Sequence, residues 1–189
     1  DFPFEDRRKL TRWSDVATAD EQSGIIESED QRREELIECL EYFTGLWNER
    51  VNEPPRGDLI SMLAHGESTK NMDPVEYLGN LVLLIVGGND TTRNSISGGV
   101  KFLNDNPAEY QKLRDNPGLI PNMVPEIIRY QTPLAYMRRT ASKDSVLAGQ
   151  NIKEGDKLLM WYVSGNRDSN SIEDADKFLI DRKKARQHL

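Results

Sequence analysis

The 189-residue sequence has one cysteine, Cys39, and no apolar run longer than the six residues Leu81 to Val86. A single thiol excludes an internal disulfide and any zinc site built from several cysteines. Six apolar residues fall far short of the ~20 that a membrane-spanning helix needs. No basic, apolar leader with small residues opens the sequence, so no secretory signal is expected, and the lone thiol points to a reducing cytoplasm. Positive charge is scarce as well: 25 Lys and Arg stand against 32 Asp and Glu, a net charge of -7. That balance argues against a nucleic-acid surface.

What is present is 37% hydrophobic and 30% charged residues, a composition that supports a globular domain with a real core. The sequence opens on Asp1 rather than methionine and stops at "ARQHL", so a segment cut from a longer protein is expected. Apolar spacing of Leu36, Leu40, Phe43 and Trp47 predicts a helix over about 27–51, and Pro54 and Pro55 end it. Short helices are expected around "DRRKLTRWSDVATA" and "DLISMLAH". Asp73-Pro74-Val75-Glu76 has the form of a capping box with proline at the first helical position, and "NPAE" (106–109) repeats the signal. "PEIIRY" belongs to a further helix that ends before Pro133. After Pro133, "YMRRTA", "SVL", "QNI" and "DKLLM" read as short strands with Gly149 and Gly155 at turns. The fold class expected is mainly α with a small β region.

The stretch "LIVGGNDTTRNS" (84–95) places two glycines and a polar cluster where an apolar helix should continue. One reading is a helix join, with Gly87 and Gly88 ending one helix and Asn89 or Asp90 capping the next. The other is one long helix from about Met72 to Asn104, bent or widened near Gly88, because the apolar pattern resumes at Ile96, Val100 and Leu103. Glycines then let a bulky group approach the backbone, while a carboxylate and a hydroxyl can hand on protons.

Gly87-Gly88-Asn89-Asp90-Thr91-Thr92 resembles the oxygen-activation motif of the cytochrome P-450 monooxygenases. Further motifs follow in the family's order: Glu126-Ile127-Ile128-Arg129, Arg139-Thr140-Ala141, Asn166-Arg167-Asp168 and Phe178-Leu179-Ile180-Asp181-Arg182. The resemblance implies a C-terminal-half fragment of the P-450 fold, cut before the haem-binding cysteine loop. It implies a single partial domain over 1–189, with leading helices in 1–57, the long helix and the Glu-x-x-Arg helix in 58–132, and the β region and meander in 133–189.

From the same resemblance, Thr91 would face dioxygen, Asp90 would feed protons, and Gly87 and Gly88 would leave room for oxygen and substrate. Arg139 would hold a haem propionate, the role that its spacing before the Gly155 turn favours over that of a strand-end arginine in solvent, which neighbouring Arg138 fits. Glu126 and Arg129, which alone read as an exposed pair worth ~0.2–0.5 kcal/mol, would be buried and joined by Arg182. Leu134, Ala135 and Met137 would form an apolar wall against the substrate. No metal ligand is expected in this chain, because the axial cysteine would lie beyond Leu189 and Cys39 reads as a core thiol.

The implied parent is a haem enzyme inserting one atom of O2 into a small apolar substrate, with electrons from a ferredoxin and its reductase. The pattern is most similar to the bacterial P-450s that hydroxylate alkane chain ends; fatty acids, terpenes and sterols are the alternatives. The fragment alone is expected to be inactive. A competing reading is a non-catalytic helical interaction domain in which "GGNDTT" is only a helix join.

Overall fold

Several helix starts in this chain are marked by a side chain that satisfies an otherwise orphan backbone donor. In the computed structural model, which describes residues 2–189, Ser28 Oγ accepts from the Gln31 N–H at 3.1 Å and opens α2, Glu29–Val51. Asp58 Oδ1 accepts from Ser61 N–H at 2.9 Å and opens α3, Leu59–His65. Asp73 Oδ1 takes the N–H groups of Val75 and Glu76 at 2.8 and 2.9 Å and opens α4, Pro74–Asp105. Ahead of these lies α1, Arg7–Thr18.

The start of α5, Pro107–Asp115, works differently from the "NPAE" expectation. Asn106 makes no side-chain cap; its Nδ2 donates backwards to the Phe102 carbonyl at 2.8 Å. Glu109, the other half of the expected box, instead accepts from the Ile180 N–H at 2.9 Å. Proline at the first position suffices to start the helix, and the glutamate satisfies a distant backbone donor. The next helix, α6, Ile120–Gln131, ends at Thr132, whose φ of +43° turns the chain before Pro133.

The long helix settles one alternative and corrects an expectation. α4 is a single helix of 32 residues, so no join separates Gly88 from Thr92. It is α-helical throughout, however, and the widening expected near Gly88 is absent. A glycine weakens a helix by about 1 kcal/mol but keeps its N–H and C=O, so the ladder of i to i−4 bonds continues.

The chain divides into two compact units, Asp1–Asp90 and Thr91–Leu189. In the first, Trp13, Cys39, Phe43, Tyr77 and Leu81 form the core, with Leu40 and Trp47 packed on it. Leu36, from the same apolar stripe of α2, packs on Val16, Ala19 and Ile26 instead. In the second unit Ile127, Phe178 and Ile180 are buried, flanked by Phe102 and Tyr130, whose rings meet edge-on at 4.7 Å.

Four strands follow α6. β1, Met137–Thr140, pairs antiparallel with β4, Lys157–Met160, and β2, Ser145–Leu147, pairs antiparallel with β3, Gln150–Ile152. Ala148 and Gly149 join the latter two, both at positive φ (+49° and +77°), the backbone a two-residue hairpin demands. A four-residue helix, α7, Tyr162–Gly165, precedes an irregular tail. Among the described residues no helix is long and apolar enough to cross a membrane.

Candidate functional site

The two glycine pairs of α4 serve different ends. A Cβ placed on Gly99 would sit 2.7 Å from Ile127 Cδ1, and one on Gly98 would meet the Gln131 side chain. This pair therefore lets α6 lie close against α4. A Cβ on Gly87 or Gly88 would meet nothing within 4 Å, so packing in the described chain does not require glycine there.

Asp90, one residue beyond this gap and Asn89, accepts a hydrogen bond at its Oδ2 from Ser14 Oγ at 3.1 Å. Ser14 lies on α1 and is fully buried. Nothing in the sequence singles out Ser14, because the link spans 76 positions. Thr91 is partly buried, and its carbonyl accepts from Ser95 Oγ at 2.7 Å. A cavity of about 870 Å³ in the first unit is lined on the α4 side by Leu81, Leu84, Ile85, Gly88 and Asn89. Gly87 and Asp90 do not line it.

In the second unit, the structure brings together Glu126, Arg129 and Arg182. Arg129 Nε and Nη2 donate to Glu126 Oε2 and Oε1 at 2.8 and 2.9 Å, a bidentate pair. Arg182 Nε donates to Glu126 Oε2 at 2.9 Å, and the Leu179 N–H to Oε1 at 2.9 Å. Arg129 Nη1 also donates to the carbonyls of Asn166 and Ala175, both at 2.7 Å. The side chains of Glu126, Arg129 and Arg182 are 0%, 1% and 8% exposed. Every lone pair and proton of the buried pair thus has a partner, the condition under which such a pair is tolerated. The cluster fixes the tail from Asn166 to Arg182 onto α6; it carries no reacting atom.

Side chains alternate along a strand, so Met137 and Arg139 share one face of β1, and Arg138 and Thr140 share the other. The register sets Met137 opposite Met160 and Arg139 opposite Leu158. Lys157 Nζ bonds Thr140 Oγ1 at 2.8 Å on the second face. Arg139 is exposed, and its side chain donates from Nη1 to the carbonyl of Arg138 at 3.0 Å; no carboxylate pairs with it among the described residues. Leu134, Ala135 and Met137 are exposed too. Sequence reasoning missed Leu158 and Met160, whose alternation in "DKLLM" could have revealed them once the pairing was known.

An exposed, acid-free guanidinium beside apolar side chains fits a flat apolar group bearing carboxylates, which is what the haem of the resemblance offers. Cys39 does not fit its axial ligand. The residue is fully buried, and burial, helped by Glu38, pushes the thiol up to about 12. A protonated core thiol is neither a nucleophile nor a metal ligand.

No family model matches the chain. Among curated proteins it is 36% identical over 177 residues to a linalool 8-monooxygenase of Pseudomonas putida, covering 92% of this chain and 43% of the relative. It is 33% identical over 184 residues to a methyl-branched lipid omega-hydroxylase of Mycobacterium tuberculosis, covering 96% and 42%. Among solved structures, CYP153D17 from a Sphingomonas species superposes with a TM-score of 0.91 at 53% identity, over 100% of this chain and 47% of that one. A cytochrome P450-153 from Novosphingobium aromaticivorans superposes at 0.87 with 49% identity, over 100% and 45%. The chain therefore spans less than half the length of these four relatives. It belongs to the cytochrome P450 family, whose cofactor is haem, and is a partial chain of it.

Proposed function

We propose that the parent of this chain is a monooxygenase that hydroxylates a small apolar substrate, with the chain end of an alkane as the preferred target. The reaction consumes O2, two electrons and two protons, and returns the alcohol and water. When bound, haem supplies the iron chemistry that activates oxygen. The observation that carries the reading is the open glycine gap at Gly87 and Gly88, separated only by Asn89 from Asp90 and Thr91, on one uninterrupted helix.

Asp90, held by the Ser14 hydroxyl, takes protons from solvent and passes them on. Thr91 presents a hydroxyl that donates and accepts, orienting the proton it relays. Gly87 and Gly88 leave space for oxygen and substrate. Arg139 receives a haem propionate, and Leu134, Ala135 and Met137 exclude water from the substrate. Glu126, Arg129 and Arg182 are the architectural cluster. Both compact units belong to one partial domain. Electrons come from a ferredoxin and its reductase, in the cytoplasm.

Support for the substrate class comes from the likeness to P450-153 proteins and from two relatives whose names place oxygen on apolar molecules. The test uses the haem-containing parent and follows donor oxidation, peroxide and hydroxylated product together. Thr91→Ala should leave haem content unchanged but release peroxide, because protonation is no longer guided. Asp90→Asn should slow turnover with little change in substrate affinity. If both variants match the parent in rate and coupling, the cluster is only a helix feature. With a linear alkane, linalool and a fatty acid compared, terminal alcohol from the alkane supports the preferred substrate; product from only the others replaces it.

A further inference from the structure

α1 buries three side chains, Trp13, Ser14 and Val16, and one of them is polar. Trp13 belongs to the core with Phe43, Tyr77 and Leu81, while Val16 packs with Ala19 and Ile26. Ser14 stands between the two in sequence and is 0% exposed. Alanine would fill that space without taking a hydroxyl out of water. A serine inside a helix ordinarily returns its proton to the carbonyl one turn back. Thr18 does so, since its Oγ1 donates to the Ser14 carbonyl at 3.1 Å. Ser14 instead donates across to α4, to Asp90 Oδ2 at 3.1 Å.

The helix that presents this hydroxyl is fixed on both sides of it. Arg12 donates from Nε and Nη2 to the two oxygens of Glu35 on α2, and from Nη1 to the Ile25 carbonyl at 3.1 Å. The Trp13 ring packs on Tyr42 and Phe43, with centroids 5.5 and 5.9 Å away. At the start of α1 the Tyr42 hydroxyl donates to Asp6 Oδ2 at 2.7 Å. A serine has a single side-chain torsion that places its oxygen, whereas an aspartate has two. The hydroxyl on the anchored helix therefore sets the carboxylate, not the reverse.

We propose that Ser14 is a positioning residue for Asp90, holding one carboxylate oxygen so that the side chain keeps a single geometry for handing on protons. That purpose rests on the proposed function, in which Asp90 feeds protons. Ser14 keeps its own proton throughout; its part is orientation.

The test uses the full haem-containing parent and two double-variant cycles. Hydrogen exchange in α1 reads the contact without turnover. Ser14→Ala and Asp90→Ala should each speed it, and the double variant should fall short of the product of the two factors by at least about threefold, because one shared bond is lost only once. Turnover reads the purpose. Ser14→Ala should lower kcat about three- to tenfold, the range a lost hydrogen bond gives, with haem content and substrate Kd within about twofold of the parent. On an Asp90→Asn background Ser14→Ala should slow turnover no further, whereas a general disturbance of packing would slow both backgrounds by the same factor. Exchange factors that simply multiply, a Ser14→Ala rate equal to the parent's where Asp90→Asn is slow, or equal slowing on both backgrounds would each overturn the assignment. If Asp90→Asn turns over as fast as the parent, the proposed relay is what fails, and the exchange cycle still decides whether Ser14 holds Asp90.

Discussion

Replacing Glu126 by glutamine tests how much the buried cluster holds together. The substitution keeps shape and removes the charge that faces Arg129, 1% exposed, and Arg182, 8% exposed. Four donors now converge on the Glu126 oxygens, from Arg129 Nε and Nη2, Arg182 Nε and the Leu179 N–H, at 2.8 to 2.9 Å. An amide offers one acceptor oxygen and turns its NH2 toward donors it cannot bond. Two guanidinium groups would remain in place without a counter-charge. Breaking a buried pair on one side costs ~3–5 kcal/mol, so amides of α6 should exchange about a hundredfold to a few thousandfold faster. Lys153 and Asp144 provide the control, since they too meet at 2.8 Å but with side chains 71% and 63% exposed. Lys153→Ala should change exchange in its own hairpin by no more than about fivefold. Hydrogen exchange followed by mass spectrometry, peptide by peptide, measures both. A rise under about fivefold in α6 for Glu126→Gln would refute the reasoning, because that is within what an exposed pair contributes.

Two further outcomes are expected. The Arg12 hydrogen bonds hold the Glu35 carboxyl below its ordinary range; a depressed folded pKa means the contribution is complete above the ordinary value and is lost as pH falls through the folded one. Acid titration of α1 protection should therefore show a step below the ordinary glutamate range that Glu35→Gln abolishes, and its persistence in the variant would assign it elsewhere. Cys39, buried and pushed up to about 12, should resist iodoacetamide at neutral pH in the folded protein and react on unfolding; rapid labelling under native conditions would contradict its place in the core.

Helix boundaries were legible wherever a local group closes them. Asp73 caps the start of α4 with bonds to residues two and three positions on, and such contacts are written in the sequence because they need no distant partner. The hairpin at Gly149 and the turn at Gly155 were legible for the same reason, since positive φ is a local demand. "NPAE" shows the limit. Its proline still starts α5, but Glu109 was drawn away by the orphan N–H of Ile180, 71 positions on.

The candidate site divides along the same line. Sequence alone determined that two glycines, an acid and a hydroxyl follow one another, and that a glutamate and an arginine stand three apart on a helix. Spacing of three is the same for an exposed pair and a buried one. Only packing decided that Glu126 and Arg129 are interior, by laying Phe178, Ile180 and Arg182 against α6. Only packing tied Ser14 to Asp90, set Arg139 and Met137 on a common face with Leu158 and Met160, and kept α4 unwidened through Gly88. Local dihedral preference and capping act over a few residues and can be read in order along the chain. Burial and charge compensation act through space, and their partners are known only once the chain has folded.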